Sequence, residues 1–574
     1  MKASNLPEPA GGIERHQGWA PQGTGLSWTA CALLAIFGCL LFLPGFFTLP
    51  PIDRDEARFT QATRQMLESR DFVDIRFQEA TRYKKPIGIH WLQAASVTLW
   101  QAATGVTQTQ VIWPYRVPSL IAAVTSVVLT AAIGARLFGT WAGLAAGVLL
   151  ALSVVLNLEA RMATTDAALL ACTLSVHYVL AVRYCGSREG DAPLKLGELF
   201  MGWGGLGLGI LIKGPIILIF TVGTLLGLAL QRVDLRWLRQ LRLWTGLGLV
   251  SLMVVPWLVL ISMRSHGAFW QESVGHDLLG KVLDAETAGR SPPGAHALMF
   301  WIGFWPGSIV VLLAGPWVWA HRRDHAVRFC LAWVVPAWIV FELPMTKLFH
   351  YLLPAYPGLA MLGAAWLAAG AEPSWSPALR RTAIAIWSVI TVAACCALTV
   401  AQFYANGRVV PEAALLGLLG AVAIFAAYFL TVRRPIPALG MLAVSGLALM
   451  LQLGIVVPGL KTAFISRNIL AALPLSGLCS KLTLVSAGYE EPSLVFLGPP
   501  GVRFMSGATA ADAIASAPCV VAAVEKHEQS AFLQRSMEIG HTPQPISTVD
   551  GVNYTNSRWM TITLYASSEP KGEN

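Results

Sequence analysis

Charge is scarce in this chain. Of its 574 residues only 13% are Asp, Glu, Lys or Arg and 55% are hydrophobic, whereas a soluble domain carries roughly 25% charged residues. That balance excludes a soluble enzyme as the whole of the protein and implies a chain that crosses a bilayer many times. The nine cysteines form no Cys-x-x-Cys pair and no zinc-type Cys/His spacing, so nothing points to a structural zinc. Seven of them (31, 39, 172, 185, 330, 395 and 396) sit in or beside apolar runs, where Cys packs as a small hydrophobe. The first 27 residues lack a short apolar core followed by a small-residue cleavage site. They read as a cytoplasmic N-terminal tail, so the first apolar run stays in the mature chain. Internal repeats, expected of many transporters, are also missing.

The net charge of +9 does not imply nucleic acid, because the arginines fall in short clusters between apolar runs, as topology signals do. Apolar segments at 28–47, 111–136, 140–157, 165–184, 199–230, 241–263, 299–320, 326–343, 348–370, 382–403, 411–431 and 436–458 are long enough to span, at about 20 residues per crossing. Clusters at Arg232, Arg236, Arg239 and Arg242, at Arg322, Arg323 and Arg328, at Arg380 and Arg381, and at Arg433 and Arg434 mark one face as internal. The stretch 199–230 holds Lys213-Gly214-Pro215 at its middle. Two short helices with Lys213 at the apex spare a lysine the hydrocarbon centre, where it costs several kcal/mol. That gives roughly 13 spans. The segment 87–104 is apolar but carries His90, Gln93 and Gln101, so it is expected to lie at the outer interface rather than to cross. The expected organisation is a tail at 1–27, a transmembrane domain at 28–465 with outer loops 48–110 and 264–298, and a small external α/β domain at 466–574. In that last part 482–486, 493–497, 519–524 and 559–565 read as strands and 509–516 as a helix. Cys479 and Cys519 share it, but their spacing alone does not establish a disulfide.

On this map acids and cations from distant segments meet at the outer face. In Pro51-Ile-Asp-Arg-Asp-Glu-Ala-Arg58 three carboxylates crowd the start of an amphipathic helix. One acid suffices to cap a helix, and three repel one another unless a cation or a proton is shared. Asn157-Leu-Glu-Ala-Arg-Met-Ala-Thr-Thr-Asp166 brings a second acid to the same side, where Thr164 or Thr165 can serve as the cap. Asp55 and Asp166 together suit coordination of a divalent cation or removal of a proton from a nucleophile. Arg82-Tyr-Lys-Lys-Pro86, Lys213 and His350-Tyr351 supply donors for a lipid phosphate; snorkelling to ordinary headgroups is the plain alternative for the lysines.

The ordered set D-E-A-R, the K-P lysine, E-A-R-x-A-x-T-D, K-G-P and K-L-x-x-Y-x-L-P resembles the bacterial aminoarabinose transferases and protein mannosyltransferases of the GT-C superfamily, over nearly the whole chain. The resemblance implies a polytopic α-helical GT-C membrane protein of the bacterial inner membrane, with its active site and C-terminal α/β domain facing the periplasm. It also implies an inverting glycosyltransferase that moves a sugar from a polyprenyl phosphate to lipid A or another envelope glycan. By position, Asp55, Asp166 and Glu56 are then the expected catalytic residues, with Asp55 and Asp166 as ligands of any divalent metal cation. Lys85, Lys213, Lys281, Tyr351 and Arg58 are the expected ligands of the donor phosphate. Lys85-Pro86-Ile87-Gly88 departs from the K-P-P-L of relatives, and Lys281 stands where an arginine is usual, which keeps the charge but loses a bidentate fork. The alternatives are a protein O-glycosyltransferase and, outside enzymes, a lipid-linked glycan flippase. An oligosaccharyltransferase would carry a W-W-D-like motif in its soluble part, and none is present.

Overall fold

The computed structural model describes residues 25–566 except 53, 187–193, 274, 276–290, 431–433, 474–481, 518 and 554. Among the described residues eight helices are long and apolar enough to cross a membrane, and five shorter apolar helices, Trp28–Phe42, Thr140–Leu152, Ile216–Leu230, Ser308–Ala320 and Leu353–Ala369, accompany them. These positions match the spans read from the sequence, the 199–230 hairpin included. There one helix ends at Lys213, Gly214 turns with φ +68°, and the next helix starts at Ile216; only glycine takes that backbone cheaply. Two spans are less regular than their apolar runs suggest. The run 140–157 breaks at Ser153, whose ψ of 135° ends one helix and begins the next. The run 299–320 breaks between Gly303 and Ser308, around a cis Trp305-Pro306 peptide.

Helix α1 (Trp28–Phe42) leads to an outer segment that is held by two buried arginines. Arg116 donates to the carbonyls of Phe46, Leu49 and Pro50 at 3.1, 2.8 and 3.0 Å. Arg161 donates to Pro44 at 2.9 Å and to Leu41. A non-helical turn at membrane depth leaves carbonyls without helix partners, and the guanidinium forks satisfy them. The turn delivers the chain into α2 (Arg54–Ser69), whose start lines a cavity at one face of the bundle.

Helix α3 (Gly88–Thr104) also stays on that face. At its start an added Cβ on Gly88 would come within 2.8 Å of the Leu211 backbone, two residues from the hairpin tip. In its middle Gln93 donates to the Ala163 carbonyl at 3.0 Å, and near its end Trp100 packs on Trp113. All three partners belong to ends of spans at that same face, so α3 runs across the bundle rather than through it. The polar residues that argued against a crossing are its anchors: the Thr63 hydroxyl donates to Gln93 Oε1 at 2.7 Å and meets His90 Nδ1 at 2.8 Å. Burial pushes the His90 imidazole down to about 3, so the ring is neutral.

The C-terminal part forms a five-stranded sheet built from β1 (Thr483–Ala487), β2 (Arg503–Phe504), β3 (Val520–Glu525), β4 (Gln544–Asn553) and β5 (Arg558–Ala566), in the order β2-β1-β3-β5-β4. β1 is parallel to β2 and β3, while β5 is antiparallel to β3 and β4. Leu484 and Val521 face one apolar cluster and Val485 and Ala522 the other, so β1 and β3 are apolar on both faces, as strands covered on two sides are. Cys519 is disulfide-bonded, and the seven membrane-segment cysteines are free thiols; Cys479 lies outside the described residues.

One element corrects the sequence reading. Residues 493–497, expected as a strand, lie in a helix, Pro492–Leu497. A short apolar run does not by itself separate strand from buried helix, but proline at the first turn and Gly498 just past the end were the helix signals. This helix docks on α2, where Arg64 donates to the Phe496 carbonyl at 3.1 Å and Phe496 meets Tyr115 edge-on at 5.6 Å. Next to it Arg54 forks onto Glu491 at 2.8 and 3.0 Å, and Asn553 donates to the same carboxylate at 2.8 Å. The sheet domain is thus clamped to the helix that carries Asp55.

Candidate active site

A cavity of about 360 Å³ opens where α2, the segment 82–85, the loop 159–166, the hairpin tip and the segment 340–351 converge. Its wall contains Asp55, Arg58, Lys85, Asp166, Lys213 and Tyr351, together with Arg82, Lys84, Glu159 and His350. Six positions expected from sequence therefore share one chamber. Lys281 lies outside the described residues, and Glu56 is not in the wall.

Asp55 and Glu56 are neighbours with opposite environments. The Asp55 side chain is 58% exposed toward the cavity and holds Arg58 and Arg82 each at 3.4 Å. Burial by the surrounding protein works to raise its pKa, but Arg82 and then Arg58 outweigh that and hold the carboxyl below its ordinary value. The Glu56 side chain is 0% exposed and pairs with Arg116 at 2.7 and 3.1 Å. It also accepts the backbone N–H groups of Ile52 at 2.9 Å and Ala163 at 3.0 Å. Its oxygens are engaged and it does not line the chamber, so the geometry lends no support to the catalytic role expected for Glu56. Its effect is positional: it ties the start of α2 to the loop that carries Asp166.

Asp166 opens α7 (Asp166–Gly186), with its carboxylate turned across to the hairpin. Lys213 Nζ lies 2.5 Å from Asp166 Oδ1, and Thr165 donates to Oδ2 at 3.3 Å. Lys213 also stands 5.7 Å over the Tyr351 ring, a contact that favours an ammonium. The lysine at the membrane edge thus has the partners that its burial demands.

His350 bridges the two acids of the loop, with Nδ1 3.6 Å from Glu159 and Nε2 3.8 Å from Asp166. Glu159, Asp166 and His350 present ligand atoms within 4.8 Å of one another, a donor set of the type that holds divalent cations. The metal pair expected from sequence, Asp55 with Asp166, is not the group the structure gathers; Asp55 is engaged by arginines instead. Lys213 already sets a positive charge against Asp166, and Thr164 donates to Glu159 at 2.6 Å, so the triad is electrostatically supplied by the chain itself.

Sequence reasoning missed Arg82 as a partner of Asp55 and the Glu56–Arg116 pair, which joins residues 60 positions apart. For Arg82 a signal existed in its place beside Lys84 and Lys85. For the ion pair there was none, because nothing in a single sequence marks which arginine reaches which acid.

The wall carries five cationic side chains, Arg58, Arg82, Lys84, Lys85 and Lys213, against three carboxylates, Asp55, Glu159 and Asp166. The excess of positive charge, set in partly dry protein, suits an anion of one or two charges such as a phosphate ester. An amphipathic helix and an acid-bearing chamber at one end of a multi-span bundle, with an appended five-stranded sheet, make this a polytopic α-helical membrane protein with a polar site.

Comparison with known proteins narrows this class. The structure superimposes on ArnT from Cupriavidus metallidurans bound to undecaprenyl phosphate with a TM-score of 0.70 at 18% identity, covering 94% of this chain and 98% of that one. Residues 84–260 match the family model of dolichyl-phosphate-mannose-protein mannosyltransferase. Undecaprenyl phosphate-alpha-4-amino-4-deoxy-L-arabinose arabinosyl transferases are 26% identical in Aeromonas hydrophila over 363 residues, covering 57% of this chain and 58% of the relative. The corresponding protein of Pectobacterium carotovorum is 26% identical over 377 residues, covering 63% and 62%. The chain thus spans about three fifths of the length of the curated relatives it matches. It shares the fold of ArnT and is similar in sequence to the bacterial aminoarabinose transferases over that part.

Proposed function

We propose that this protein is an inverting glycosyltransferase of the bacterial inner membrane. It takes a sugar from an undecaprenyl-type polyprenyl phosphate and transfers it, on the periplasmic side, to lipid A or another envelope glycan. The observation that carries this reading is the meeting of Asp55 and Asp166 in one chamber with Lys85, Lys213, Arg58 and Tyr351. The names of the relatives supply the polyprenyl carrier and the aminoarabinose class of donor.

In this reading the acceptor oxygen attacks the anomeric carbon from the face opposite the phosphate, and the bond from that carbon to the phosphate oxygen breaks. The sugar carbon gains positive character while the departing polyprenyl phosphate gains negative charge. Lys85, Arg58 and Lys213 stabilise the leaving phosphate, and Tyr351 donates to it. Asp55 removes the proton of a hydroxyl acceptor; where the acceptor is already a phosphate, no strong base is needed and Asp55 orients it and balances the sugar's positive charge. Asp166 is held by Lys213 as the second carboxylate facing the reacting centre. Glu159, Asp166 and His350 would hold a divalent cation, which would add Lewis-acid stabilisation of the phosphate, and no step above depends on it.

The test is mass spectrometry of lipid A and surface glycans from cells with and without the gene. Loss of a pentosyl or hexosyl addition upon deletion supports the reading; unchanged envelope glycans, together with loss of a sugar from exported proteins, would instead support protein O-glycosylation. That second reading is favoured by the mannosyltransferase model matched over 84–260. In reconstituted vesicles Lys85→Ala is expected to raise the donor KM by at least about tenfold, the worth of one charge-assisted contact, with little change in the acceptor KM. Equal effects on both substrates would remove Lys85 from the donor site.

The chamber's charges also fix a pH dependence. Because Arg82 and Arg58 hold the Asp55 carboxyl low, the acid stays ionised as pH falls, and an acid limb of kcat/KM due to Asp55 lies below about 3.9, the free Asp value. Arg82→Gln removes the larger of the two lowering charges, so that limb is expected to move to higher pH. An unmoved limb would separate Asp55 from the titration.

A further inference from the structure

A second concavity lies away from the chamber, between the helices Ile216–Leu230 and His325–Glu342, with a volume of about 680 Å³. Its wall is apolar along Leu331, Val335, Ile339 and Val340, and Arg322, Arg323 and Arg328 close one end. These arginines precede or begin a helix whose far end reaches the catalytic chamber, so they sit at the opposite membrane face. Val340 lines both spaces.

The depth of the groove has a local cause. A Cβ on Gly227 would come within 2.8 Å of the Ala332 backbone, so the missing side chain lets the two helices close on each other there. Pro336, one turn on in the same helix, has no N–H to offer the Ala332 carbonyl and also lines the groove. Val335 and Ile339, 46% and 56% exposed, form its outer lip.

The three arginines are not alike. Arg322 is engaged locally, donating to the Trp319 carbonyl at 2.6 Å and stacking 4.5 Å over that indole. Among the described residues no carboxylate pairs with Arg323 or Arg328, and Asp324 between them uses its backbone carbonyl, not its side chain, toward Arg328. Two guanidinium groups without counter-charge at the mouth of an apolar slot in a membrane protein call for an occupant with an anionic head and a hydrocarbon tail. Guanidinium forks match phosphate oxygens, and basic pockets between membrane helices hold anionic headgroups.

We propose that this groove binds an anionic phospholipid of the leaflet opposite the chamber, with its phosphate on Arg323 and Arg328 and an acyl chain along Val335 and Ile339. The site is independent of the glycosyl-transfer reading. The bound chain ends against Val340, on the back of the catalytic wall.

Native mass spectrometry of the purified full chain, with phosphatidylglycerol or phosphatidylcholine of identical acyl chains, tests this. The parent protein is expected to retain phosphatidylglycerol about tenfold better, as two basic contacts allow. R323Q/R328Q removes that preference. V335W fills the slot without touching an arginine and lowers phosphatidylglycerol retention. R380Q/R381Q, arginines at the same face that do not line the groove, leaves the preference intact. Equal retention of both lipids by the parent overturns the proposal. So does undiminished retention by V335W, and so does a loss in R380Q/R381Q as large as in R323Q/R328Q, which would show diffuse attraction rather than a site.

Discussion

Replacing Asp55 with Asn is expected to lower sugar transfer by about 10²–10⁴-fold, the worth of a positioned acid–base group, while the protein stays folded. The separation of the two effects follows from geometry. The Asp55 side chain is 58% exposed to the cavity and holds Arg58 and Arg82 each at 3.4 Å. Arg82 lies 5.1 Å over the Phe59 ring, so its position survives the loss of the carboxylate charge. The check is transfer from a polyprenyl-phosphate donor in reconstituted vesicles, alongside elution position and thermal unfolding in detergent. An Asn variant with parental turnover would remove the catalytic role; one that also fails to fold would move Asp55 to the scaffold.

The adjacent residue predicts the reverse. Arg116→Met leaves the Glu56 carboxylate fully buried with only two backbone N–H donors, and strips three outer-turn carbonyls of their donor. Breaking a buried pair from one side costs about 3–5 kcal/mol, a large part of the stability of most proteins. The variant is expected to aggregate or to unfold at a markedly lower temperature in detergent. Adding Glu56→Gln to Arg116→Met removes the stranded charge and should recover part of the loss. A double variant no more stable than the single one would show that the carbonyls, not the charge, dominate.

The sequence made the bundle legible because a bilayer leaves little choice, and apolar length marked the spans. Polar residues in apolar runs were more informative than the apolar ones. Lys213 marked the hairpin tip, and His90 and Gln93 marked α3 as a helix lying across the bundle. The chamber was legible to the extent that sidedness brings distant loops together, and Asp55, Arg58, Lys85, Asp166, Lys213 and Tyr351 do line one cavity. Pairings inside it were not legible. Whether an acid faces solvent or an arginine depends on a rotation of one helical position, about 100°, and Asp55 and Glu56 differ by that alone. The donor set that proximity assembles was not legible for the same reason: Glu159 and His350, rather than Asp55, accompany Asp166. The helix at 492–497 was missed because its six residues are too few to show a period.

Arg54 and Asp55 are consecutive, yet one grips the sheet domain through Glu491 and the other looks into the chamber. A shift of the soluble module is therefore felt one peptide unit away from the proposed base. The sheet-bearing lobe is better regarded as part of the chamber's jaw than as baggage: grafting it onto a relative, or trimming it for crystallisation, is expected to alter the aim of the Asp55 carboxylate.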